Sequence, residues 1–314
     1  MILVVSQKED YHVDYLLKRI NDHQKKYLVR LNTEDFPEKV KISVGFKERT
    51  MTIDDRVCNL ADINCVWYRR PAKSIGRHLR SGPEKQYAID ESWYFLLSIW
   101  EEMNCGWVNK PSAIKNASYK WEQLNRARRM GFIVPESLFT NNSVDADKFR
   151  LSHSLVIAKP VHTGHLRMDD GKYKMIYASP ISLDVDLSNV SASPVIFQEY
   201  IKKELELRIT VVNKKVFACA IYSQTTEKTK YDWRHYDLDN TPHEVWELPK
   251  AIEKKCINLV KSYGLIYGAI DMILTPAGEY VFLEINPNGQ WVWIEEMTGL
   301  PISGALIEYF YSGK

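Results

Sequence analysis

The 314-residue sequence lacks any apolar run of about 18 residues, so no segment reads as a membrane-spanning helix. It also lacks a CxxC pair, and its five cysteines, Cys58, Cys65, Cys105, Cys219 and Cys256, are odd in number. That pattern argues against a zinc site and a disulfide framework and leaves reduced, mostly structural thiols. Neither sign of charge is in excess: 42 basic and 40 acidic residues leave +2, so no global field draws the chain to nucleic acid or an anionic membrane. Any phosphate chemistry must be local. The apolar region of a signal peptide is missing as well, because Ile2, Leu3, Val4 and Val5 give way at once to Ser6, Gln7, Lys8, Glu9 and Asp10. A cytoplasmic protein is the expectation. Internal repeats and low-complexity segments are not seen.

What is present is an ordinary globular composition, 45% hydrophobic and 26% charged, in a chain too long for one core to keep growing comfortably. Two or three lobes around a shared cleft follow. Residues 1–5 read as a buried strand and 11–21 carry apolar residues at helical spacing, the start of an α/β layer. Polar, alternating stretches occupy 27–31 and 40–53, and a short strand at 64–67 runs into Tyr68, Arg69, Arg70 and Pro71. Its carboxyl end therefore carries two guanidinium groups. A long helix over 87–103 and a break at 106–111 place the first boundary near 112. A basic helix over 117–130 stops at Gly131, and strands follow at 136–140, 155–159 and 195–201. Residues 208–212 and 215–223 alternate like a hairpin around Asn213-Lys214. After a helix over 249–263, residues 267–274 and 280–285 form a second hairpin around Pro276-Ala277-Gly278. The class is α/β with α+β lobes, divided at 1–112, 113–200 and 201–314.

The last hairpin is the most informative part. Asp271 lies on one strand, and Glu284 and Asn286 lie two apart on the other, where alternation puts them on one face. Three oxygen-bearing side chains on paired strands suit Mg²⁺, which prefers oxygen ligands and shares its shell with nucleotide phosphates. Phosphates need cations, and Lys120 on the basic helix and Lys159, ending an apolar strand before Pro160, come from separate elements to flank them. At the strand end Phe197-Gln198-Glu199-Tyr200-Ile201, backbone groups of Glu199, Tyr200 and Ile201 can read an adenine edge. Glu206 can accept from ribose hydroxyls, and Arg208 can reach phosphate or a substrate carboxylate as a bidentate donor. Trp291 and Trp293 alternate on one face and read as packing.

The lysine pair, the strand with Glu206 and Arg208, and the set Asp271, Glu284 and Asn286 resemble the ATP-grasp superfamily in chain order, from about residue 117 onward. Four motifs resemble one branch, the maturases of graspetides, or microviridin-type peptide ligases, and extend the likeness into the first lobe. They are Val66-Trp67-Tyr68-Arg69-Arg70-Pro71, Glu206-Leu207-Arg208, Asp232-Trp233-Arg234 and Asn286-Pro287-Asn288-Gly289-Gln290-Trp291. The resemblance implies an ATP-grasp fold behind a pre-ATP-grasp α/β domain, with ATP and Mg²⁺ as cofactors. It also implies a homodimer that phosphorylates Asp or Glu side chains of a ribosomal precursor peptide and closes ω-ester or ω-amide rings with its Thr, Ser or Lys. Asp271, Glu284 and Asn286 would hold the metal, Lys120 and Lys159 the phosphates, and Glu206 the ribose. Arg208 would meet the acyl phosphate or acceptor carboxylate, and Arg234 would be a basic group near the cleft. One departure is His162-Thr163-Gly164-His165-Leu166-Arg167, where ATP-grasp enzymes usually carry a glycine-rich phosphate loop. His162, His165 and Asp232 are candidates for a general base. The nearest rival is a RimK-like carboxylate–amine ligase that adds amino acids to a peptide or protein.

Overall fold

A computed structural model of the chain describes residues 1–312 except 75, 77, 78, 80, 226–230 and 234–239. Its first sheet is parallel and four-stranded, in the order Leu28–Asn32, Ile2–Ser6, Cys65–Tyr68, Gly106–Val108. The two central strands are buried along their whole length, as expected for a parallel sheet covered on both faces. The alternating stretch at 40–53 becomes two strands of a separate antiparallel meander, Lys41–Val44, Arg49–Ile53 and Arg56–Asn59. The helix Pro83–Glu102 begins with proline just inside its first turn and buries Leu96, Ile99 and Trp100.

Two antiparallel sheets form the rest. The smaller has the order Ser179–Pro180, Val156–Pro160, Val195–Glu199, Ser137–Thr140. Its core is modest: Ala146, Val156, Leu187, Val190 and Phe197. The larger has five strands, ordered His243–Val245, Lys215–Ile221, Leu205–Val212, Tyr267–Leu274, Tyr280–Asn286. Both expected hairpins are present within it. Leu205, Leu207, Ile209 and Val211 face one way, against the helix residues Cys256, Leu259 and Val260, which leaves Glu206, Arg208 and Thr210 on the other face.

A different core joins the first sheet to the large one. Ile2, Val4, Trp67 and Val108 pack in one cluster with Val212, Tyr267, Trp291 and Phe310. The fold class expected from the sequence is the one observed. Among the described residues no helix is long and apolar enough to cross a membrane.

Candidate active site

A row of charge crosses the large sheet. Arg208 is paired with Asp271 on the next strand, and Asp271 with Glu284 on the edge strand. Beyond that pair the register shifts, Met272 facing Phe282, so Leu283 is an extra residue. The bulge turns Phe282 into the core beside Phe132, while Leu283, Glu284 and Asn286 all line the cleft. Alternation alone, which put Glu284 and Asn286 on one face, would have sent Phe282 there too.

These acids are matched by cations. Arg208 donates from Nη1 to both oxygens of Asp271, at 2.8 and 3.0 Å, and from Nη2 to the Gln290 carbonyl at 3.3 Å. Burial is the largest single influence and works against the Arg208 charge, but Asp271, Tyr267 and Glu284 together outweigh it and hold the guanidinium above its ordinary value. Arg208 thus holds Asp271, and the sequence reading places it within reach of phosphate or a substrate carboxylate. Lys120 Nζ lies 3.7 Å from Glu284 Oε2 and donates to the Pro160 carbonyl at 3.1 Å, next to Lys159. Asn286 Nδ2 donates to Asp271 Oδ2 at 3.0 Å and Glu284 Oε1 at 3.3 Å, tying the three oxygen-bearing side chains together.

Two positioning groups carried no signal in the sequence. Gln123, one turn along the helix from Lys120, accepts from the Ile285 amide at 3.1 Å and donates to its carbonyl at 3.0 Å. Ile285 stands between Glu284 and Asn286 on an edge strand, so a glutamine amide satisfies the outward-facing backbone a further strand would have paired. Asn109, buried at the end of the first sheet, donates to the Tyr267 and Pro287 carbonyls, both at 2.8 Å. It also accepts from the Ile266 and Tyr267 amides. A third residue, Lys203, reads in sequence as part of a charged strand exit. It is 2% exposed at its side chain and bonds Glu206 Oε1 at 2.6 Å.

The cleft has two adjoining pockets. Lys120, Lys159, Glu199, Tyr200, Ile201 and Glu206 line the first, together with Gln198, Lys203, His162 and Asp232. The amides of Glu199 and Tyr200 donate to the Glu136 and Leu155 carbonyls, and the Glu199 carboxylate accepts from the Glu136 amide at 2.7 Å. Arg70, His165, Tyr177, Arg208, Asn288 and Gly289 line the second, and Gly164, Trp233, Asp271, Glu284 and Asn286 belong to both. A Cβ at Gly289 would fall 2.5 Å from Arg208 Nη2 and 2.5 Å from Ala269 Cβ, so only glycine lets this loop lie against the guanidinium. Asp232 Oδ2 accepts from the Ala178 amide at 3.1 Å, and Arg234 lies outside the described residues. The short hairpin of His165–Arg167 with Tyr173–Met175 replaces the glycine-rich loop. Trp291 and Trp293 do not alternate on a strand: they flank the start of the helix Val292–Thr298 and diverge. Trp291 packs on His12 and Tyr15, Trp293 on Trp233 and His243.

Residues 117–310, which carry nearly all of this cleft, match the model of the RimK-like ATP-grasp domain. The chain belongs to the ATP-grasp family. Residues 1–115 match the MvdD pre-ATP grasp domain. The ATP-grasp chain is similar to a Chryseobacterium gregarium RiPP-associated ATP-grasp ligase, solved in complex with ADP and a leader and core peptide. The two are 30% identical with a TM-score of 0.90, over 100% of this chain and 97% of that one. It is also similar to the macrocyclase MdnC of Microcystis aeruginosa MRC, solved with the precursor peptide MdnA, at 30% identity and a TM-score of 0.87 over 100% of both chains. Beta-citrylglutamate synthase B of Danio rerio is 20% identical over 221 residues, 69% of this chain and 53% of its own. The chain thus spans about half the length of the curated relatives it matches.

Proposed function

We propose that this chain is an ATP-dependent ligase acting on a ribosomally made precursor peptide, whose Asp or Glu side chains it phosphorylates. Thr, Ser or Lys side chains of the same peptide then close ω-ester or ω-amide rings. The observation that carries this reading is the wall shared by the two pockets, where Asp271, Glu284 and Asn286 stand between a lysine-lined side and an arginine-lined side. A nucleotide in one and a carboxylate in the other would meet at that wall. The ligase of Chryseobacterium gregarium and MdnC, each solved with peptide, support a peptide substrate.

In the first step a carboxylate oxygen bonds to the γ-phosphorus, the bond from that phosphorus to the bridging oxygen breaks, and ADP leaves with the electron pair. In the second a hydroxyl or amine bonds to the acyl carbon, the carbon–oxygen bond to phosphate breaks, and the nucleophile's proton passes to solvent. Lys120 and Lys159 offset phosphate charge, and Glu206, steadied by Lys203, accepts from ribose. With the Glu199 and Tyr200 amides engaged elsewhere, the Ile201 amide is the donor for an adenine edge.

Among the described residues no three His, Cys, Asp or Glu side chains gather as a metal group; the set here is two carboxylates and an amide. It fits a small hard cation, because Asn286 touches both carboxylates and turning its amide would present its oxygen where its nitrogen lies. Asp271, Glu284 and Asn286 would hold Mg²⁺, which when bound supplies charge neutralisation at the transferring phosphoryl group. The reading keeps the divisions at 112 and 200 and a homodimer, and the free state of all five cysteines suits the cytoplasm.

Calorimetry with ADP and Mg²⁺ tests the nucleotide side. Lys159→Ala should bind at least about tenfold more weakly, since a hydrogen bond to a charged group contributes about 1.5–3 kcal/mol. Equal affinity in a folded variant would remove Lys159 from the phosphate site.

A further inference from the structure

The chain after Asn286 is neither strand nor helix before Val292, yet Pro287, Asn288, Gly289 and Gln290 line the second pocket. Its backbone closes one turn, the Gly289 amide donating to the Asn286 carbonyl at 3.2 Å. Each of the next four carbonyls accepts from a side chain elsewhere in the fold. Asn109 donates to Pro287 at 2.8 Å, Arg69 and Arg70 to Asn288, Tyr267 Oη to Gly289 at 3.0 Å, and Arg208 Nη2 to Gln290 at 3.3 Å. Backbone outside a ladder must find such partners where it is buried, so these side chains set the course of the loop.

Tyr267, Ala269 and Asp271 point to one face of the strand Tyr267–Leu274, and Asp271 is paired there with Arg208. The loop crosses that face over Ala269, whose Cβ, like Arg208 Nη2, leaves no room for a Cβ at Gly289. Tyr267 stands behind the loop, packed with Trp67, Val108 and Trp291 in the core shared with the first lobe. Burial holds its phenol above the ordinary value although Arg208, Arg69 and Arg70 work the other way, so the hydroxyl remains a donor.

Gly289 links that hydroxyl to Arg208. Its carbonyl takes the Tyr267 bond and its backbone lies against Nη2 of the guanidinium, while Asp271 holds Nη1 from the sheet. Releasing the carbonyl would let the loop move off the guanidinium and take the Gln290 contact with it. We propose that Tyr267 is a positioning residue for the second pocket: its hydroxyl holds the loop against Arg208 and so fixes where that guanidinium meets the peptide's carboxylate or acyl phosphate. Tyr267 itself lines neither pocket. The described lining of the first pocket includes neither Arg208 nor any of residues 287–290, so nucleotide binding should not depend on this bond. The assignment rests on the ligase reading above and adds a residue that acts on its peptide side alone.

The test uses ATP, Mg²⁺ and two synthetic peptides, one rich in Thr and Glu and its counterpart with every Glu changed to Gln, with phosphate release as the readout. Wild type should be stimulated by the acidic peptide and not by the amide peptide. Tyr267→Phe keeps the ring in the core and removes only the hydroxyl. It should lower the peptide-stimulated kcat by about tenfold, because a slightly displaced charged group is costly in rate, and leave the KM for ATP and the ADP affinity unchanged. Tyr280→Phe is the control: its hydroxyl accepts from Trp246 Nε1 at 3.3 Å, at the other end of the same strand pair. That variant loses a comparable bond away from the cleft and should keep its kcat. An unchanged kcat in folded Tyr267→Phe, an equal loss of kcat in Tyr280→Phe, or a parallel fall in ADP affinity would overturn the assignment and leave the ligase reading standing. A wild-type enzyme indifferent to the acidic peptide would overturn both.

Discussion

His12 shows what the arginine pair does to its surroundings. Its ring packs edge-on against Trp291 and its Nδ1 is buried without a partner among the described residues. Burial first, then the Arg69 and Arg70 charges, press its pKa down to about 2, so it is neutral in the folded chain at any ordinary pH. An unfolded histidine titrates near about 6.5. Between those values the unfolded chain takes up a proton the folded one refuses. Stability is therefore fully present above the unfolded value and falls as pH drops toward the folded one, by at most about 1.4 kcal/mol per unit. His12→Gln should flatten that slope in urea unfolding between pH 7 and pH 5; identical slopes in the two proteins would contradict the assignment. Single residues were unevenly legible in the sequence. Asp271, Glu284 and Asn286 stood out because ligand chemistry coincided with strand spacing. Asn109 and Gln123 did not, because their partners are backbone groups on distant strands, and no spacing rule relates a side chain to those.

At the level of elements, both hairpins of the large sheet were legible from alternation and turn residues, whereas the bulge at Leu283 was not: a register shift belongs to two strands at once. The same strand depends on the helix Lys120–Arg129 for its outer edge. Gln123→Leu would leave the Ile285 amide and carbonyl buried without partners, at a cost of about 2 kcal/mol or more in unfolding free energy. If the clamp also places Glu284 and Asn286, the Mg²⁺ concentration needed for half-maximal ATP turnover should rise in this variant. A loss of stability with an unchanged Mg²⁺ requirement would make the clamp structural only.

On the scale of the whole molecule, the cleft lies between two cores. One wall belongs to the small sheet, with its own five-residue core, and the other to a body in which the first sheet and the large sheet pack together. Asn109, Arg69 and Arg70 fasten the first lobe to the loop Asn286-Pro287-Asn288-Gly289, so the first lobe reaches the second pocket. Sequence composition could bound the number of lobes but not which of them share a core, since that is decided by which faces meet. The most direct measurement is mass spectrometry of a cognate precursor peptide incubated with the enzyme, ATP and Mg²⁺, with the nucleotide products assayed alongside. The peptide should lose one water mass per ring as ADP and phosphate accumulate, and a precursor whose core acids are changed to amides should stay linear. AMP and pyrophosphate, added amino-acid masses, or water loss that survives removal of every core Asp and Glu would contradict the account.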